Sequence, residues 1–281
     1  MTIRDSVNEW GLIISSHSPF ISLGVAITPG NNTYGTYAQI IAGSAVTDDV
    51  WGLWININGN AVSGVARDSI AKIGVDPTGG TSYTDMIVDL ACSCAGAISA
   101  LQGGGIWYYF PLSIKAGSSI GCAVSVNNAT VGTCNALCQL FCRPRGPIMP
   151  RVGSFVRTFG STLASSSGTA ITPNGAGAKS AYIQLGSATV ETLWYWQIGV
   201  CINNATMSNA GAAWDLSLGT SVNKVPVIVD QMVLMSATEN VSYTSQGAEV
   251  FSAAGDLVFV RAGSGNTAPT GISAIAYGVG G

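Results

Sequence analysis

The sequence predicts an all-β protein: two tandem antiparallel β-sandwiches of jelly-roll type behind a short N-terminal arm or helix. Three observations predict it. Val, Ile, Thr, Tyr and Trp dominate the ordered stretches, Gly, Asn, Ser and Pro clusters separate them, and one alternating stretch occurs twice. The chain has 281 residues. That is long for one sandwich and suits two of about 100–150 residues each.

Residues 1–20 come first. Ile3, Val7 and Trp10 recur at helical spacing and Gly11 can cap them, so this segment reads as a short helix or an arm with an apolar stripe that docks on a neighbour. The first sandwich follows over residues 21–142. Its clearest strand runs from Trp51 to Asn58, with Trp51, Leu53, Ile55 and Ile57 inward and Trp54, Asn56 and Asn58 on the other face. Asn58-Gly59 supplies turn chemistry. Residues 143–153 hold Pro144, Pro147 and Pro150 among Arg143, Arg145 and Arg151, and read as a semi-extended linker. The second sandwich takes residues 154–281. Its clearest strand, Trp194 to Ile202, puts Trp194, Trp196, Ile198, Val200 and Ile202 on one face and Tyr195, Gln197, Gly199 and Cys201 on the other, ending at Asn203-Asn204.

The two copies align by eye. A spacing of 145 carries Tyr37 onto Tyr182, Gln39 onto Gln184, Trp51 onto Trp196, Leu53 onto Ile198 and Ile73-Gly74 onto Leu218-Gly219. It is 144 between Ile27-Thr28-Pro29 and Ile171-Thr172-Pro173. It shrinks to 141 at Ile87-Val88-Asp89 and Ile228-Val229-Asp230, and to 138 at Ala116-Gly117 and Ala254-Gly255. Stepwise shrinkage is what loop deletions between fixed strands produce.

Composition limits the function. Only 9% of residues are charged and 36 are glycine, against about 25% charged in ordinary domains. A surface of Ser, Thr, Asn and backbone is cheap to desolvate, which favours contact with other subunits. The net charge of −3 leaves no basic footprint for nucleic acid. No apolar run approaches the roughly 20 residues of a membrane span, and Met1-Thr2-Ile3-Arg4-Asp5 lacks the order of a signal peptide, so synthesis in a cytosol is expected.

Catalytic and metal signals are weak, and no cofactor is expected. The seven cysteines (Cys92, Cys94, Cys122, Cys134, Cys138, Cys142 and Cys201) contain no Cys-x-x-Cys and read as small buried thiols. His17, the single histidine, sits among serines as a loop residue. Gly117-Ser118-Ser119-Ile120-Gly121 fits Gly-x-Ser-x-Gly formally, but a strand continues from it and no histidine follows it. Gly103-Gly104-Gly105 lacks the Lys-Ser/Thr of a phosphate loop, and Asp48-Asp49 and Asp85 with Asp89 lack calcium-loop spacing. The chain is therefore expected not to be an enzyme. The aromatics of the strand from Ile106 to Phe110 alternate too. Trp54, Tyr108 and Phe110 oppose the faces of Trp51 and Trp107, so they are candidates for an exposed subunit interface, with sugar stacking the lesser alternative.

Two segments carry a resemblance. Ile73-Gly74-Val75-Asp76-Pro77-Thr78-Gly79-Gly80 with Asp85 to Leu90, and Tyr109-Phe110-Pro111-Leu112-Ser113-Ile114-Lys115-Ala116-Gly117-Ser118-Ser119-Ile120, resemble β-sandwich virion proteins of tailed bacteriophages. The second copy keeps Ala254-Gly255 and lacks the Phe-Pro-Leu. The resemblance implies a capsid decoration (cement) protein at the virion surface, bound to major capsid proteins and self-associated, with a trimer favoured. A tail-fibre, receptor-binding or carbohydrate-binding module is the alternative. Ile3, Val7, Trp10, Trp54, Tyr108, Phe110, Arg143, Arg145 and Arg151 are the candidate interface residues.

Overall fold

The structure is a computed structural model that describes residues 2–3, 12–16, 24–58, 68–92, 105–127, 132–142, 151–175, 177–202, 210–235, 242–265 and 272–281. His17, Val7, Trp10, Cys94, Arg143, Arg145 and the turns at 59 and 203–204 lie outside those residues. The first half contributes β1 (Thr2–Ile3), β2 (Leu12–Ser15), β3 (Val25–Ile27), β4 (Gly30–Asn31), β5 (Ala38–Ile41), β6 (Val50–Asn58), β7 (Ser69–Asp76), β8 (Thr84–Cys92), β9 (Gly105–Phe110), β10 (Ser119–Val126) and β11 (Cys134–Cys142). The second half contributes β12 (Phe155–Phe159), β13 (Thr169–Ile171), β14 (Ile183–Gln184), β15 (Leu193–Ile202), β16 (Ala210–Gly219), β17 (Lys224–Met235), β18 (Ser242–Thr244), β19 (Ala248–Ser252), β20 (Leu257–Ser264) and β21 (Ile272–Gly280). Helix among the described residues is limited to single 3-10 turns at Gly43–Ala45 and Leu163–Ser165.

Each half is a two-sheet jelly roll, and the two have the same strand order. In the first, β2 and β3 flank β11, then β6 and β9; the facing sheet runs β5, β10, β7, β8. In the second, β12 and β13 flank β21, then β15 and β19; the facing sheet runs β14, β20, β16, β17. This is the two-sheet arrangement of a jelly roll, written twice, with β2 and β3, and likewise β12 and β13, sharing one edge of the central strand.

Register refines the repeat. Ile27 pairs with Cys134 and Ile171 with Ile272, as the spacing of 144 expects. Gln39 pairs with Gly121 and Gln184 with Phe259, as 145 expects. Along β6 and β15 the sequence alignment is two residues out. Val50 and Leu193 open the two strands against Cys142 and Gly280, so Trp51 corresponds to Trp194 and Leu53 to Trp196. Likewise Ile73 corresponds to Leu216, since their partners are Ile87 and Ile228. A two-residue slip preserves the alternation of faces, so inward and outward positions survived the misalignment.

Trp51 and Trp194 sit at matching bulges, where the ladder skips a residue. A bulged residue leaves the alternation of its strand. Trp194 therefore does not share the face of Trp196: it packs with Tyr195 in the first core cluster, while Trp196 fills the second. Trp51 is half-buried against Phe141 at 5.4 Å rather than inward with Leu53. At the N-terminus, Ile3 belongs to a strand and not a helix, pairing with Ile13 in β1–β2.

The two motifs of residues 73–90 and 109–120 build one end of the first sandwich. The Asp76 carboxylate accepts from the Thr78 N–H and hydroxyl and from the Ser82 N–H, which shapes the β7–β8 hairpin. Ser119 Oγ donates to the Gly80 carbonyl at 2.6 Å, joining the two motifs. Gly43, Gly79 and Gly117 meet there; a Cβ on Gly43 would lie 2.6 Å from the Gly79 Cα, and Gly79 itself has φ +76°.

Candidate interaction surfaces

The two sandwiches share a core. Trp194, Tyr195, Cys201, Ile275, Tyr277 and Val279 of the second half belong to the hydrophobic cluster of the first. They project from the outer face of β15 and β21, which covers β8, the edge strand of the first sandwich. That face of β15 is the one that alternation turns away from the second sandwich's own core. Tyr195, Gln197 and Cys201 are buried even so, because a second layer packs on them. Absence of charge on both faces of β15 and along the Ala/Gly/Ser-rich stretch of β21 was the signal available for this, and β21 is buried throughout.

Side-chain hydroxyls cap the edge of β8. Tyr277 accepts from the Ala91 N–H at 2.6 Å and donates to the Asp89 carbonyl at 3.1 Å. Thr158 Oγ1 donates to the Val88 carbonyl at 2.7 Å, and Tyr108 to the Ala91 carbonyl at 2.8 Å. Asp89 has φ +56°, and its carboxylate accepts from Tyr34 at 2.5 Å and Ser161 at 2.6 Å. Gly199 makes the close approach possible, since a Cβ there would fall 2.8 Å from the Ala91 Cβ. Burial, then the adjacent Asp89 carboxylate, pushes the Tyr34 phenol well above its ordinary range, so it stays a donor. A strand edge satisfied this way is closed to further pairing. In addition, β18 leaves the second half and pairs in parallel with β9 at Gly105–Trp107, extending the first sandwich's sheet to seven strands.

Two of the candidate interface residues change meaning. Tyr108 and Phe110 are 1% and 0% exposed. They face the core, stacked at 5.9 Å, and are no surface for another subunit; Tyr108 serves the seam inside the chain. The exposed parity of β9 is that of Trp107, which lies half-buried against half-buried Trp54 with ring centroids 5.0 Å apart. Trp54 thus remains on an outer surface, and Trp107 joins it. Arg151 lies between the rings of Trp194 and Phe251, 4.5 and 4.4 Å from their centroids.

The second sandwich exposes apolar side chains on β17, equivalent to β8. Val225, Val229 and Met232 are 62%, 54% and 61% exposed. The same sheet carries a charged cluster. Asp215 is buried and receives Lys179 at 2.7 Å, Arg261 at 2.8 Å and the Asp230 N–H at 2.9 Å. Desolvation raises its pKa, but the Asp230 N–H and the two cations outweigh it and hold Asp215 below the ordinary carboxylate range. Lys179 also pairs with Asp230 at 2.7 Å.

The remaining chemistry-bearing groups are committed to the fold. Asp49 accepts from the Ala116 N–H and pairs with Lys115, which lowers its pKa; Asp85 pairs with Lys72 and accepts from Tyr37. Ser119, the serine of the formal Gly-x-Ser-x-Gly, is buried and its hydroxyl is spent on the Gly80 carbonyl. The described cysteines are buried, and desolvation pushes the thiols of Cys92, Cys122, Cys138 and Cys201 up, away from the reactive thiolate. A cleft of about 400 Å³ lined by Val75, Asp85, Met86, Lys115 and Phe155 brings only these paired charges together. No group of three or more metal-ligating side chains, and no helix long and apolar enough to cross a membrane, occurs among the described residues.

No protein-family model matches the chain, and no curated protein does. Among solved structures it is similar to PNGF-II, at 10% identity over 92% of this chain and 65% of that one, with a TM-score of 0.31. It is similar to the T=1 particle derived from infectious bursal virus, at 11% identity over 89% of this chain and 56% of that one, TM-score 0.22. A third is the CBM22-1–CBM22-2 tandem of Paenibacillus barcinonensis Xyn10C, at 10% identity over 83% and 70%, TM-score 0.19. The chain thus spans less than two thirds of the first two. At these scores the likenesses say nothing of what this chain binds, and its all-β double-sandwich architecture stands on its own strand order and register.

Proposed function

We propose that this chain is a non-enzymatic structural protein of a tailed-phage virion: a capsid decoration protein, made in the host cytoplasm, that clamps major capsid proteins on the head surface and associates with itself, as a trimer. The observation that carries this reading is the exposed apolar strand β17 on a protein with only 9% charged residues. Such a surface gains about 25 cal/mol per Å² of apolar area buried and has few ions to strip of water. Repeated over many copies, that gain resists rupture of a shell. The capped edge of β8 and the shared core make the two sandwiches one stiff body, as a clamp requires. Asp49, Asp76, Asp85 and Asp215 are tied into turns and ion pairs, which favours a structural over a hydrolytic role.

One observation favours a second reading. The Trp54–Trp107 pair is a half-exposed aromatic platform of the kind that stacks on sugar rings, as in a receptor-binding or carbohydrate-binding module. Co-sedimentation with empty phage heads and a glycan array separate the two. Saturable head binding with no glycan hits is the expected result; glycan hits with no head binding overturn the decoration reading.

A further inference from the structure

We propose that β17 is the docking strand for a second copy of this chain, which covers it with the outer face of its own first-sandwich sheet, β2–β11–β6. The contact repeats between molecules the seam found within one.

The seam fixes what such a strand takes as cover. β8 and β17 hold the same place in the two sandwiches and share an unusual backbone. Asp89 and Asp230 are both left-handed, with φ +56° and +54°, although neither is glycine. By that register Ala91 corresponds to Met232 and Val88 to Val229. Ala91 is 1% exposed beneath β15 and β21, whereas Met232 is 61% and Val229 54% exposed. The strand is thus dressed with larger apolar side chains where its equivalent is buried.

The covering surface has an equivalent too. In the seam it is the outer face of β12, β21 and β15; in the first sandwich the matching face belongs to β2, β11 and β6. Register places Ser15 where Thr158 caps the Val88 carbonyl, and Gln139 where Tyr277 caps Ala91 and Asp89. A hydroxyl and an amide therefore stand where hydroxyls cap the strand edge in the seam. Trp54 replaces Gln197, so this face stands further off, which suits the longer, pliable Met232; Asn56, in the place of Gly199, is already buried within the chain. Trp54, Leu137 and Gln139 are half-buried and uncharged, and Asp230, the charge nearest the stripe, is neutralised by Lys179. The two surfaces differ from each other, so the contact is head-to-tail and generates a closed ring or a filament.

This deepens the self-association part of the proposed function and is tested apart from any particle. Light scattering after size exclusion is expected to give the wild-type chain a mass at a multiple of 28.6 kDa. A fixed multiple marks a ring, and a mass that grows with concentration marks a filament. Met232→Asp, on an exposed side chain, and Leu137→Glu, on the opposite surface, are each expected to run as monomers with unchanged circular dichroism; Gln139→Arg serves if Leu137→Glu fails to fold. Mixed in equal amounts, the two variants retain one intact surface each and are expected to form a 1:1 pair that grows no further. A wild-type chain that stays monomeric at every concentration overturns the proposal. So do single variants that remain associated, or a mixture that fails to pair. Loss of head binding by a chain that still oligomerises removes the decoration reading alone.

Discussion

Asp215 is 1% exposed at its side chain yet stays ionised, because Lys179, Arg261 and the Asp230 N–H together outweigh its desolvation. Asp215→Asn is expected to cost roughly 2–3 kcal/mol at pH 7, below the 3–5 kcal/mol of a fully buried pair because both cations remain partly exposed. Its folded pKa lies below the unfolded value of about 3.9. The contribution is therefore full above about pH 4 and lost as pH falls through the folded value, so denaturant midpoints of the variant and the wild type should converge in acid. A second residue-scale prediction concerns the glycine contact at the end of the first sandwich. Gly43→Ala would force a Cβ against the Gly79 Cα, a backbone atom that cannot swing aside, and should lower stability by about 1–3 kcal/mol in urea melts. The sequence made the glycines of these motifs visible, but not that Gly43, some 36 residues before Gly79, closes on them. Nor did it mark Asp89 and Asp230 as left-handed, although their matched Ile-Val-Asp triplets were aligned.

Strand existence and alternation were legible for β6 and β15, because period-2 patterning is a local property. Exact register was not. A bulge that displaces Trp51 and Trp194, and a two-residue difference before β6, both leave the pattern of faces almost intact. The hydroxyl caps on β8 were illegible for another reason: Thr158 and Tyr277 lie 70 and 188 residues from the carbonyls they cap. These caps give an element-scale prediction. Tyr277→Phe leaves the buried Ala91 N–H without its acceptor and should cost about 1–3 kcal/mol, read as a shift in the chemical denaturation midpoint with unchanged slope.

The tandem organisation of the whole molecule was readable from the repeated strand, but the fusion of the two sandwiches was not. Low charge announced buried contact surfaces, and part of that surface is spent inside the chain, where β15 and β21 cover β8 and β18 crosses to β9. Calorimetry should therefore show one unfolding transition. Gly199→Val, which wedges a side chain between β15 and Ala91, should split it into two. The central claim is that one strand position is sealed in the first sandwich and open in the second. Residue-resolved hydrogen exchange on the monomeric Met232→Asp chain tests it most directly. The amide of Ala91, held by Tyr277, should exchange only with global unfolding, about a hundredfold or more slower than that at position 232. Equal exchange in the two strands, or slower exchange in β17, would contradict the account.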